Sequence, residues 1–182
     1  MAVSLRTARL LLRPWRDAVL VDFAAMSADP AVMEFLAPLA EPGACEAWAA
    51  RLRAHWRDHG FGRWVVEIPD QARFIGVVGL AMIPYEAHFT PAVEVAWRLV
   101  RTHWGCGYAA EAARAALDYG FDKLGLAEIV AVTTPANLRS RRVVERLGMS
   151  RDPADDYNHP NLPEGPLQRH VLYRLPNPKS AR

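Results

Sequence analysis

The chain changes its hydrophobic rhythm once, near Gly62, and that change limits the folds open to it more than any other feature. Before it, apolar residues recur mainly at helical spacing; after it come runs rich in β-branched and aromatic residues, separated by turn signals. Residues 17–28 carry Val19, Leu20, Phe23 and Ala24 at helical spacing, and Asp29-Pro30 ends the pattern. A second helix is predicted from Pro42-Gly43 to Gly60, with Ala47, Trp48, Leu52 and Trp56 along one face. Leu10, Leu11 and Leu12 read as a first short strand stopped by Pro14. Residues 63–68, 74–83 and 92–100 then read as three strands, separated by a Pro69-Asp70-Gln71 turn and a loop over 84–91. That is an antiparallel meander.

The second half alternates instead. Residues 108–124 form a predicted helix with Ala113, Leu117, Phe121 and Leu124 as its core stripe, closed by Gly125. A buried strand over 128–133, a helix over 137–147 closed by Gly148, and a last strand over 170–175 follow. The stretch 151–168, with four prolines and four acidic residues, is too long for a passive connection. The order predicts an α+β (mixed α/β) fold with one mixed sheet. At 182 residues a single domain over 1–182 is expected, its core spanning about 8–175 and a flexible tail covering 176–182.

Composition removes several function classes. A net charge of +2 lacks the concentrated basic face that nucleic acid demands. Cys45 and Cys106 stand alone and make neither a disulfide framework nor a zinc site, so no metal is expected. The longest apolar run, 74–83, is about half a membrane span, and the N-terminus lacks a signal-like apolar core. A cytoplasmic protein without a membrane partner is the expectation.

The most informative segment is Trp104-Gly105-Cys106-Gly107-Tyr108-Ala109-Ala110-Glu111, two glycines between a strand and a long helix. Glycine lets a backbone approach a ligand closely, and a helix start presents unpaired N–H groups at the positive end of its dipole. Such a junction suits a phosphate or pyrophosphate, although a tight strand-to-helix turn uses the same residues. A P-loop is excluded, because Gly107 is followed by Tyr108-Ala109 where Lys-Ser or Lys-Thr is needed. A dinucleotide fold is excluded too: the upstream meander is wrong for it, and Glu128 begins the next strand instead of ending it.

Residues Trp104 to Ala109 align with the pattern Gln/Arg-x-x-Gly-x-Gly/Ala, with Trp104 replacing the first residue and Gly107 and Ala109 matching the other two. A second pattern, Asn-x-x-Ser/Ala-x-x-Leu/Val-x-Glu-Lys/Arg-x-Gly-Phe/Met, falls on Asn137, Ser140, Val143, Glu145, Arg146, Gly148 and Met149. With these two signatures the chain resembles the GCN5-related N-acetyltransferases (GNAT), and within them the ribosomal-protein-alanine N-acetyltransferase-like subgroup. The resemblance covers roughly residues 8–175. It implies a mostly antiparallel twisted sheet of six to seven strands flanked by about four helices, with two strands splayed at the coenzyme site. It implies acetyl-CoA as cosubstrate and a primary amine, small-molecule or peptide, as acceptor. A monomer or homodimer is expected.

The resemblance also suggests roles for residues. The pantetheine would pair with the backbone of Leu99 and Val100, whose N–H groups would polarise the thioester carbonyl. The diphosphate would sit on the amides of Gly105, Cys106, Gly107, Tyr108, Ala109 and Ala110, beside Trp104. Glu94, a carboxylate in the otherwise apolar run 93–97, is the predicted general base. Ser140 is the predicted residue at the thiol, contacting coenzyme and sulfur, because it shares an inward helix face with Val143, Val144 and Leu147; Val144 stands where many members carry a proton-donating tyrosine, so an acid step is not implied. Asn137 suits a helix N-cap and, by family position, a coenzyme contact. A non-catalytic acyl-CoA-binding module is the alternative from a different class. Loops 84–91 and 151–168 are expected on the acceptor side. Five Arg between 137 and 151 would attract a coenzyme phosphate, and Asp152, Asp155, Asp156 and Glu164 a protonated amine.

Overall fold

The computed structural model describes residues 3–39 and 41–179. Two short strands, β1 (Leu5–Arg6) and β2 (Leu11–Arg13), pair antiparallel and lead into the meander of β3 (Arg63–Ile68), β4 (Ala72–Met82) and β5 (Val93–Leu99). β6 (Glu128–Thr133), β7 (Tyr157–Asn158) and β8 (Arg169–Pro176) extend the same sheet, giving the order β1-β2-β3-β4-β5-β6-β8-β7. The eight strands exceed the expected six to seven because β1 and β7, two residues each, are too short to leave a periodic signal.

Every pairing is antiparallel except that between β5 and β6. Parallel neighbours need a crossover, supplied here by α4 (Tyr108–Asp122). The two strands share one register pair, Glu94 with Val130, and part toward their C-terminal ends. α4 packs on the face that carries Leu80 and its partner Val95. Its buried stripe is Ala112, Ala113, Ala116, Leu117, Gly120 and Phe121, whereas the expected stripe member Leu124 lies past the helix end and is half-buried. Small side chains bring this helix close: a Cβ on Gly120 would fall 2.6 Å from Ile129 Cδ1.

The opposite face is covered by α1 (Leu20–Ala28) and α3 (Ala44–His59), while α2 (Pro30–Met33) is a single turn between them. α1 stops at Asp29-Pro30 as predicted, and that dipeptide also makes a corner into α2. Asp29 accepts a hydrogen bond from the Ala31 N–H at 2.9 Å, and Pro30, with its φ preset, opens the new turn. α5 (Leu138–Arg146) follows β6 and ends at Gly148. The tail does not come loose at 176: Asn177 is buried and bonds Leu126 and Ala127, and Lys179 pairs with Asp122. Residues 180–182 of the expected flexible segment lie outside the described residues. Among the described residues no helix is long and apolar enough to cross a membrane.

Gly76 holds β4 against β5 at Leu99, the last register pair of those two strands and well past the Glu94–Val130 pair after which β5 and β6 part. Its φ is +147°, and a Cβ there would lie 2.2 Å from the Arg98 carbonyl and 2.7 Å from Leu99 Cα. Gly76→Ala therefore strains its own backbone and pushes β5 aside, at a cost on the order of 3 kcal/mol. Gly105→Ala, where φ is +76° and no atom lies within 4 Å, costs about 1 kcal/mol. Urea unfolding midpoints of the two variants check this order.

Candidate active site

Gly105 and Gly107 both adopt left-handed conformations, with φ of +76° and +82°, which turn the chain sharply into α4. The first intrahelical bond runs from the Glu111 N–H to the Gly107 carbonyl, so the N–H groups of Tyr108, Ala109 and Ala110 precede it and have no partner within the helix. No side chain caps them. A set of amides at a helix start, unfilled by the protein and free of Cβ atoms at two positions, fits an anionic diphosphate.

Arg9, which carries no signal in the sequence, fixes this turn from outside. Its guanidinium donates to the Cys106 carbonyl at 3.1 Å and lies over the Tyr108 ring at 4.5 Å. It also pairs with Glu111, whose carboxylate accepts from Thr7 Oγ1 at 2.6 Å and from the Arg9 N–H at 3.0 Å. Burial alone would raise the Glu111 pKa, but the bonds from Thr7 and Arg9 together outweigh it and hold the pKa below the usual range. A carboxylate one turn from the cradle would repel a phosphate; Arg9 cancels that charge. Cys106 itself is exposed, with its Sγ 3.6 Å from the Trp104 carbonyl.

The gap between β5 and β6 opens toward this turn. Val100 does not offer the N–H expected of it, because that group donates to the Ile75 carbonyl at 2.9 Å. Antiparallel pairing alternates, so Leu99 turns its N–H and C=O the other way, into the gap, as does Trp97. The backbone role expected of Leu99 and Val100 thus falls to Leu99, with Trp97 as the neighbour that sequence reasoning missed. The Leu99 carbonyl is already held by the Trp104 indole N–H at 2.9 Å. Arg139 of α5 lies over the Trp104 ring at 4.7 Å and bonds Glu34 at 2.6 Å, so side chains tie the two sides of the gap together at its mouth.

Asn137 caps α5, its side-chain oxygen accepting from the Ser140 N–H at 3.2 Å. Ser140 is half-buried on the face that also carries Val143, Val144 and Leu147, and among the described residues its hydroxyl has no hydrogen-bond partner. Thr134, just after β6, holds a buried hydroxyl that also lacks one. Both residues lie in the stretch that leaves the C-terminal end of β6.

Glu94 occupies the one paired position at the closed end, and its side chain joins the face covered by α1 and α3. Arg63 donates to its carboxylate. The loops over 84–91 and 151–168 meet beside it. Tyr85 and Tyr157 share a hydrogen bond of 2.6 Å, the Tyr85 ring lies tilted 4.2 Å from that of His159, and Phe89 meets Tyr157 edge-on at 5.0 Å. The Glu94 charge is felt by Tyr85, Tyr157 and His159. Burial pushes both tyrosine pKa values up and those of His159 and His170 down, so all four side chains are neutral at pH 7. An open groove of about 560 Å³ runs along Ile83, Tyr85, Glu86 and Thr90.

The two charge runs are partly paired, within themselves and with neighbours. Asp155 pairs with Arg174 and lies near His88, Asp156 pairs with Arg151, and Asp152 caps its own turn through the Ala154 N–H. Asp155 and Asp156 are therefore neutralised by arginines and do not present their charge to an amine as expected, whereas Asp152 and Glu164 are exposed and, among the described residues, pair with no cation. Arg139 is drawn to Glu34, and Arg141 to Tyr173 and the Pro135 carbonyl. Among the described residues no cluster of His, Cys, Asp or Glu is arranged for a metal ion.

Residues 9–150 match the family model described as an acetyltransferase (GNAT) domain. The chain is 30% identical over 179 residues to FsC-acetyl coenzyme A-N(2)-transacetylase of Aspergillus fumigatus, covering 94% of this chain and 75% of that protein. The structure is similar to the acetyltransferase from Agrobacterium tumefaciens, with a TM-score of 0.76 and 28% identity over 95% of this chain and 94% of that one. It shares its fold with the ribosomal-protein-S5-alanine acetyltransferase from Vibrio fischeri, at a TM-score of 0.76 and 20% identity over 97% of each chain.

Arg9→Met removes the tie to Cys106 and leaves Glu111 uncompensated beside the cradle. Calorimetry should show CoA binding weakened roughly tenfold or more, the scale of lost charge-assisted hydrogen bonds. An unchanged Kd would remove Arg9 from the account of the cradle.

Proposed function

The chain belongs to the GNAT acetyltransferase family, and from that premise we propose that it transfers acetyl from acetyl-CoA to a primary amine by direct attack within a ternary complex. It is an acetyl-CoA-dependent acetyltransferase. The observation that carries the finer reading is the alignment along one gap: the unfilled amides of Tyr108, Ala109 and Ala110 at its mouth, the Leu99 N–H inside, and Glu94 at its closed end.

In this reading the diphosphate rests on the glycine turn, with Gly105, Cys106 and Gly107 shaping it and Trp104 bracing it against Leu99. The pantetheine runs along Trp97 and Leu99, and the Leu99 N–H donates to the thioester carbonyl as charge develops there. The amine approaches from the face that holds Glu94. Its nitrogen forms the new C–N bond, the C–S bond breaks, and the ammonium proton passes to Glu94 directly or through a water. Ser140 donates a hydrogen bond toward the departing sulfur.

Magnitudes say where the protein must help. An α-amine with a pKa near ~7.8 is roughly a tenth neutral at pH 7, so deprotonation costs about 1 kcal/mol. A lysine-like amine near ~10.4 costs about 4.6 kcal/mol. A thiolate with a pKa around ~8.5 leaves without strong acid assistance, which suits a site with Val144 and the weakly acidic Ser140 in place of a tyrosine. One carboxylate, oriented by Arg63, is enough for an amine of the first kind.

Glu94→Gln should lower kcat/KM at pH 7 by about 10²-fold, the usual contribution of a general base. The deficit should shrink as pH rises past the pKa of the amine, while CoA affinity stays within about twofold. A variant with wild-type rate and pH profile removes Glu94 from the mechanism.

A further inference from the structure

Arg98 is four residues beyond Glu94 on β5, and strand alternation puts both on the face covered by α1 and α3. Arg63 joins them, since its register partner Gly79 is also the partner of Ala96. Three charged side chains therefore share one patch of sheet, two cations against one anion.

The two guanidiniums are short of acceptors. Arg63 donates to Glu94, but its Nε is buried and has no partner. Arg98 is half-buried and, among the described residues, pairs with no carboxylate. Its one polar contact is Ser27 Oγ at 3.4 Å, at the edge of hydrogen-bond range. For the rest it lies near aromatic faces, 5.7 Å from the Phe23 ring and 5.9 Å from Trp48. Those rings stack on each other at 4.4 Å, and Trp15 closes on both edge-on. Burial first, then the like charge of Arg63, lower the Arg98 pKa to about 10, which still leaves it charged at neutral pH. A half-buried arginine with no counter-ion beside an aromatic wall is costly unless a ligand supplies the anion.

Resting on amine acetylation as the activity, we propose that the acceptor is an amine that also carries a carboxylate, held by Arg98 with Arg63 beside it while its nitrogen lies toward Glu94. The planar guanidinium fork matches a carboxylate in geometry as well as charge. Arg63 and Glu94, with 26% and 14% of their side-chain surface exposed, remain within reach of such a molecule. The excess positive charge also disfavours polyamines, which bring further cations instead of the missing anion. The same chemistry is offered by a free amino acid and by a peptide N-terminus with an acidic second residue.

The test compares matched acceptors on the wild-type protein: amino carboxylates of graded chain length against their carboxamides, Ala-Asp-Ala-amide against Ala-Asn-Ala-amide, and spermidine. Thiol release from acetyl-CoA gives kcat/KM, and calorimetry with CoA present gives binding whether or not transfer occurs. The proposal expects at least one carboxylate or Asp member to exceed its neutral counterpart by tenfold or more, in rate or affinity. It expects Arg98→Gln to erase that ratio while CoA binding persists. The pair that responds separates the amino-acid source from the peptide source. Neutral acceptors equal to or better than charged ones by both measures, or spermidine as the best acceptor, would overturn it. So would an Arg98→Gln protein that binds CoA and keeps the ratio. Should charged members bind selectively with no thiol release from any amine, the acetylation reading fails and the anion subsite stands.

Discussion

The structure depends on a parallel pairing that stops after one residue. β5 and β6 meet at Glu94 and Val130 and then part, leaving a sheet with an open seam at its centre. Backbone N–H groups along such a seam, Leu99's among them, face no strand partner, and in a buried strand that is a cost a ligand can relieve, while the Leu99 carbonyl is taken by the Trp104 indole. β5 keeps its shape because its other edge is paired continuously with β4, from Met82–Val93 to Gly76–Leu99. The Leu99 N–H stays available because Val100 is fastened to Ile75, the residue before Gly76. A diffuse fraying of both edges would have left no defined donor.

The crossover that makes the parallel pair possible also delivers the proposed anion site. α4 must start where β5 ends, so its unpaired amides arrive at the mouth of the seam as a consequence of connectivity. The two left-handed glycines accommodate the tight reversal, and Arg9, Thr7 and Glu111 anchor it to the loop between the first two strands. On the far side, the face holding Glu94 is built from elements of both chain halves: α1 and α3 at one end, and the joined loops over 84–91 and 151–168 at the other. Sequence-distant segments converge there because the sheet is the one surface they have in common.

Most elements were legible because they obey simple periodicities. The helices over 44–59 and 108–122 and the strands of the meander came within a few residues of their predicted limits, bounded by Gly43, Gly60 and the Pro69-Asp70-Gln71 turn. The glycine turn was legible because only a few residue types permit a left-handed backbone. What escaped was set by tertiary partners. No local pattern says that Arg9 reaches Cys106, that Arg98 lacks a carboxylate, or that Val100 spends its N–H on Ile75. The charge runs misled for a related reason: Arg151 and Asp156, five residues apart, neutralise each other, so their sum along the chain said little about the field at the site.

The central claim is that the seam between β5 and β6, with the glycine turn at its mouth, receives CoA. Amide hydrogen exchange resolved residue by residue, with and without CoA, tests it most directly. The account predicts new protection at Leu99, Tyr108, Ala109 and Ala110, with no gain at Val100, whose amide is already bonded. Protection confined to the groove along residues 83–90, with the glycine turn and Leu99 unchanged, would contradict it.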